Sequence, residues 1–235
     1  MKRFLLFLLG IALFPVIPAI ALSISDLLPA VSLHGFPWIA HEPLAVFSGY
    51  AFWTLVFLIM PPSAKVYVLG HELTHALWGL LTFSRVGRLR VDKNGGSVDI
   101  SHPGFFTTLA PYFIPFYLVV VLLLRFCLGL FIPMEPYALC WLFLIGIAYG
   151  FHVTYTVKSL SCLQPDICVY GHVISYVAIV IFNLLLFGYG FVAVTPATLP
   201  TYHQQLVVRT FQSYDWTYSR MLAGGRSIAS HLAGR

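Results

Sequence analysis

Long apolar runs, separated by prolines and short polar loops, dominate the chain. Residues 4–22, FLLFLLGIALFPVIPAIAL, follow Met1-Lys2-Arg3. A basic start and an apolar run fit a signal peptide or a first membrane helix. The run is long for a signal and its cleavage pattern is weak, so an uncleaved helix kinked at Pro15 and Pro18 is expected. Residues 45–60, AVFSGYAFWTLVFLIM, form a second run that ends at Pro61-Pro62, where a helix must stop. A helix is predicted over about 64–82. Further apolar runs follow at about 109–132, 137–157 and 167–194; Pro133 and Pro136 divide the first two, and KSLSCLQPD (158–166) divides the last two. Such lengths approach the roughly 20 residues that cross a hydrocarbon core. The pattern predicts an all-α polytopic membrane protein with five or six transmembrane helices, its membrane-embedded domain spanning 1–194.

Two stretches break this pattern. Residues 83–108 are the most polar internal segment, and GRLRVDKNGGSVDIS alternates weakly around Asn94-Gly95. That dipeptide is a strong turn signal between two short extended pieces, so a β-hairpin-like segment is expected at about 84–101, at or near the membrane. The tail, 195–235, repeats Val207, Phe211, Tyr214, Tyr218 and Met221 at helical spacing. It reads as an amphipathic or flexible C-terminal tail, either lying in the membrane interface or packed on the membrane domain. Its last residues, AGGRSIASHLAGR, are expected to be disordered.

Composition sharpens the class. The 235 residues are 59% hydrophobic and 9% charged, with mean hydropathy +0.87, against about 25% charged for soluble domains. The net charge of +5 is concentrated in Lys2-Arg3 and in Arg85, Arg88, Arg90 and Lys93. These groups read as loop charges facing anionic lipid headgroups and the cytoplasm, not as a nucleic-acid surface. Lys158 should share the side of the 85–93 cluster, and all three agree if an even number of crossings precedes residue 83. Cys127 and Cys140 fall in apolar runs and read as small core residues. Cys162 and Cys168 flank a polar loop. Without a CxxC pair, neither a disulfide framework nor a cysteine zinc site is indicated.

The chemistry concentrates in VLGHELTHALWGLL, residues 68–81. A carboxylate and two imidazoles are costly in apolar surroundings unless something binds them. On a helix, His71 and His75 stack on one face and can hold one zinc ion, while Glu72 reaches a water at the same metal. The metal acidifies the water and the carboxylate takes its proton. The chain has only three glutamates, and finding one between two histidines in an apolar helix argues against accident. A third ligand must come from elsewhere, because position 81 is Leu and the extended HExxHxxGxxH pattern is absent. Asp166, in QPDICVYGH, and His152, inside the run at about 137–157, are the candidates. His172 lies six residues past Asp166, Glu135 belongs to a distant loop, and Asp92 and Asp99 belong to the hairpin.

GHELTHA in an apolar helix, then a hairpin-like segment, then LAPYFIPFYLVVVLL, then an aspartate opening a membrane helix: this order resembles the site-2 protease family of intramembrane zinc metallopeptidases, over roughly residues 64–194. The resemblance implies His71 and His75 as zinc ligands, Glu72 as catalytic base and Asp166 as third ligand, with His152 the alternative. It also implies a Zn2+-dependent endopeptidase that hydrolyses peptide bonds of membrane-associated protein substrates, in a multi-pass membrane location (the cytoplasmic membrane if bacterial). The aspartate's surroundings depart from the family's DG or NxxPxxxxDG context, which places the chain in a divergent branch, and residues 83–108 are too few for a PDZ domain. A helical substrate would need local unwinding, and the hairpin could offer an edge for the extended segment to pair with. Two alternatives remain at this point. One is another membrane metallopeptidase such as the CAAX prenyl protease type, although no downstream ExxxH is present. The other is a non-catalytic membrane scaffold or metal-handling protein, for which a glutamate beside the ligands has no purpose.

Overall fold

The structure, a computed structural model, describes residues 1–31, 41–60, 64–92, 95–162 and 164–233. It is mostly helical, with one two-stranded antiparallel sheet. In chain order the elements are α1 (Lys2–Leu13), α2 (Val16–Ser25), α3 (His41–Ile59), α4 (Ala64–Leu81), β1 (Val86–Val91), β2 (Gly96–Ile100), α5 (Phe105–Leu109), α6 (Phe116–Gly129), α7 (Ala138–Leu160), α8 (Pro165–Tyr170), α9 (His172–Ala193) and α10 (Leu199–Ala233). The chain divides into two compact units, residues 1–35 with 173–235, and residues 36–172.

In the first unit, α2, α9 and α10 enclose a core of Ile20, Ile24, Leu27, Val192, Ala197 and Tyr202. The Tyr202 ring fills the space beside Gly188, where a Cβ would collide with it. Arg209 of α10 grips Asp26, just past α2, through two hydrogen bonds of 2.6 and 2.5 Å. The Tyr214 hydroxyl donates to the Ala12 carbonyl at 2.7 Å. Rising numbers in α10 thus meet falling numbers in α1 and α2, so the helices run antiparallel. The face that α10 packs inward carries Tyr202 and Ser213, both buried, while Val207, Phe211, Tyr218 and Met221 of the expected stripe are exposed. The helix continues to Ala233, through a segment expected to be disordered. Gly224 and Gly225 lower its propensity by only about 1 kcal/mol each relative to alanine, too little to end a helix.

In the second unit, α3 and α7 form the tightest helix pair. A Cβ on Gly49 would strike the Phe143 carbonyl, and one on Gly146 would strike the Val46 carbonyl. These two glycines let the backbones touch, the way small residues pack apolar helices. Trp53 Nε1 donates across the same pair to Thr154 Oγ1 at 3.0 Å.

The hairpin pairs Leu89 with Val98 and Val91 with Gly96, with an irregularity between Val86 and Leu89. Its turn is tied by Asp92 N–H to the Gly95 carbonyl (2.9 Å) and Gly95 N–H to Asp92 Oδ1 (3.1 Å). Asn94, the residue that signalled the turn, lies outside the described residues, as do Pro61 and Pro62. The sheet lies along α4: the Gly96 end meets Val68 and Glu72, and the Val86–Ile100 end meets Gly79.

Four helical segments are long and apolar enough to cross a membrane: Lys2–Ser25, His41–Ile59, Glu135–Leu160 and His172–Ala193. The expected run at 109–132 is not one straight helix. It breaks before Phe116, at Pro115, and the pieces Phe105–Tyr112 and Phe116–Gly129 meet at 81°. Counted as one broken span, they make five; α4 is not among the candidates, so a sixth is not reached among the described residues. The run at 167–194 is likewise divided, by Gly171 at φ +102°, a backbone state that side-chain-bearing residues avoid. Asp166 therefore sits in a short helix of its own rather than at the start of the long one. The expectation that Cys127 and Cys140 are core residues is also corrected, since both are exposed. An apolar run of spanning length does not by itself separate exposed from core-facing positions.

Candidate metal centre

The site is built on α4 by helix geometry. His71 and His75 are one turn apart, with ring centroids 4.8 Å apart and planes at 80°. Their outer nitrogens are both engaged. His75 Nδ1 lies 2.7 Å from the Thr107 carbonyl of α5, and His71 Nδ1 lies 3.2 Å from the Tyr67 hydroxyl, one turn back on α4. A carbonyl can only accept, so His75 carries its proton on Nδ1 and its Nε2 keeps a free lone pair. This outer hydrogen bond is how metal-binding imidazoles are held in the right tautomer.

The Nε2 atoms of both rings point at one oxygen, Asp166 Oδ2, from 3.5 Å (His71) and 3.4 Å (His75). Asp166 reaches them from the first turn of α8, where Pro165 occupies the start of the helix. One donor atom from each of the three residues falls within 4.8 Å of the other two. Tetrahedral zinc with bonds of about 2.1 Å separates its ligand atoms by about 3.4 Å. The donor set of two imidazoles and a carboxylate, and its spacing, fit such an ion. Burial alone would push the Asp166 carboxyl up, and the two imidazoles beside it, when protonated, outweigh that and hold it below the usual carboxylate range; a bound cation would take the place of those protons.

Glu72 is also buried, at 7% exposure, and lines the same cleft as the three donors. The cleft has a volume of about 620 Å³; β2 and the turn before it form one wall, and Gln164–Asp166 with Val169 form another. Strand β2 presses directly on the glutamate: a Cβ at Gly96 would lie 2.6 Å from Glu72 Cγ and 3.0 Å from Oε1. Only glycine at 96 leaves the carboxylate where it is.

His152, the alternative third ligand, does not join the donor group among the described residues. It is buried in α7 and lines a separate small cavity with His71, Tyr117 and Phe151. Glu135 opens the 3-10 turn before α7, and Asp92 and Asp99 stay with the hairpin.

Sequence reading gave no role to Tyr67, Gly96, Thr107 or Tyr112. Tyr67 could have been found, since it precedes His71 by one helical turn. The others come from segments that only the folded chain brings to α4. No protein-family model, no curated protein and no solved structure matches this chain.

Proposed function

We propose that the chain is a zinc-dependent intramembrane endopeptidase, with His71, His75 and Asp166 as ligands and Glu72 as general base. The carrying observation is the meeting of His71, His75 and Asp166 from two distant segments around one point. Imidazole nitrogens with a single carboxylate suit zinc better than magnesium or calcium, which favour oxygen. The spanning-length helices support a polytopic membrane setting.

Bound zinc would polarise a peptide carbonyl and acidify a water. The protein's own groups do the rest. Glu72, clamped between α4 and β2, accepts a proton and returns it to the leaving amine. The cleft beside β2, about 620 Å³, has room for a short extended peptide segment, and a helical substrate would be unwound locally to reach it. A lone structural metal site would have no use for a carboxylate held in the same cleft, which favours the enzyme over a scaffold.

The test compares detergent-purified wild type with Glu72→Gln and Asp166→Ala. One zinc per chain is expected in wild type and in Glu72→Gln, and loss of zinc in Asp166→Ala. Proteolysis of membrane-associated substrates, monitored in reconstituted membranes, should vanish in Glu72→Gln. Zinc-free wild type, or cleavage undiminished by Glu72→Gln, overturns the proposal.

A further inference from the structure

The Tyr112 side chain is fully buried, yet its hydroxyl is aimed into the metal centre. It donates to Asp166 Oδ2 at 3.1 Å, the same oxygen that both histidines face. Its ring stands edge-on to His71, with centroids 5.2 Å apart at 84°. The residue sits at the end of the 3-10 turn Ala110–Tyr112, which follows α5 and contains Pro111. Leu109 and Ala110 are fully buried as well, so the turn has no freedom to carry the hydroxyl elsewhere.

The hydroxyl is not isolated. Ser159 of α7 is a polar neighbour of both Tyr112 and Tyr67, and the Tyr67 hydroxyl lies 3.2 Å from His71 Nδ1. Polar side chains therefore line the way from His71 past Tyr67, Ser159 and Tyr112 to Asp166. They lie between a donor on α4 and the donor on α8. Asp166 needs such support. It stands in a six-residue helix, preceded by extended Gln164 and followed by Gly171 at φ +102°, so little in its own backbone fixes the carboxylate against α4.

We infer that Tyr112 is the positioning residue of this centre: its buried hydroxyl fixes the Asp166 carboxylate in the rotamer that completes the metal site with His71 and His75. The inference rests on the metal reading above. A tyrosine needed only for packing would be replaced by phenylalanine without effect on the metal, because the ring is the same.

The experiment is zinc affinity of the full-length protein in detergent, measured by competition with a chelator, for Tyr112→Phe, Asp166→Ala and the double variant. Loss of an outer-shell partner weakens metal binding about 10- to 100-fold, and that is the drop expected for Tyr112→Phe. In the Asp166→Ala background, where only the two imidazoles remain and binding is read at raised zinc concentration, the same change should do nothing further, because its acceptor is gone. Circular dichroism and elution volume unchanged from wild type show that Tyr112→Phe folds; if it does not, Ser159→Ala, the polar neighbour beyond it, should weaken zinc in the same direction. Equal zinc affinity in wild type and Tyr112→Phe, or an equal loss in both backgrounds, overturns the role of Tyr112 while leaving the metal site standing. Wild type that binds no zinc overturns both.

Discussion

Among the described residues two carboxylates pair with nitrogen-bearing side chains, and they end differently. Asp26 faces the guanidinium of Arg209, whose two N–H groups match its two oxygens. That pair is closed: the planar fork fills the carboxylate and leaves no direction for a third party. Asp166 faces two imidazoles through one oxygen, at distances that suit a shared cation. The first arrangement fastens α10 to the end of α2. The second is complete only when something fills it. The contrast teaches that the charge of a carboxylate says little about its role. What decides is whether its partners satisfy it or leave a common point between them.

The comparison breaks most readily at the open site. His75→Ala should remove zinc altogether, as judged by metal content after purification, with the helical circular-dichroism signal retained. If zinc stays, the three-donor geometry is not what holds it. Glu72→Gln should keep the metal and lower cleavage by about 10²- to 10⁴-fold, the usual contribution of a general base; kinetics in reconstituted membranes measures it. Gly96→Ala should keep the metal too, yet slow turnover by a smaller factor, because its methyl must displace Glu72 or Val68. Gly104→Ala is the matched control, since a Cβ there meets nothing within 4 Å. Equal turnover in both alanine variants would show that β2 does not set the position of the base.

Acidity separates the two carboxylates further. Zinc affinity should fall as the solution is made acidic, because imidazoles must be neutral to bind metal; a titration with a chelator from neutral to acidic pH checks it. The closed pair behaves otherwise. The hydrogen bonds from Arg209 hold the Asp26 carboxyl below its ordinary value. Its contribution to stability is therefore fully present above the unfolded-state value of about 3.9 and is lost as pH falls through the lower folded-state value. Arg209→Ala should accordingly cost a small amount of thermal stability at neutral pH and nothing at strongly acidic pH, with zinc content untouched. A change in zinc content would mean that the closed pair also supports the open site.

Some features were legible because they are local. The His71–Glu72–His75 spacing needs only a helix to place two rings on one face, and the apolar runs need only their length. The hairpin was written in a weak alternation about a turn dipeptide. Misreadings came where hydrophobicity was asked to do more than it can. The run at 109–132 looked continuous, yet Pro115 and the buried turn before it bend the chain by 81°. The run at 167–194 hid the break at Gly171. Apolar helix positions at Cys127 and Cys140 proved exposed, because in a run that is apolar throughout no polar residue marks the outer face.

By itself, then, the sequence determined where the apolar runs and the hairpin lie, and the two imidazoles with their neighbouring carboxylate, since helical spacing is a property of consecutive residues. Tertiary structure decided what stands beside them: Asp166 with the Tyr112 hydroxyl, the Thr107 carbonyl and the Gly96 end of β2. Asp166, Gly96, Thr107 and Tyr112 come to α4 from separate segments, and their approach is fixed by close packing and the need to satisfy buried polar groups. Those constraints act through space, and no spacing along the chain records them.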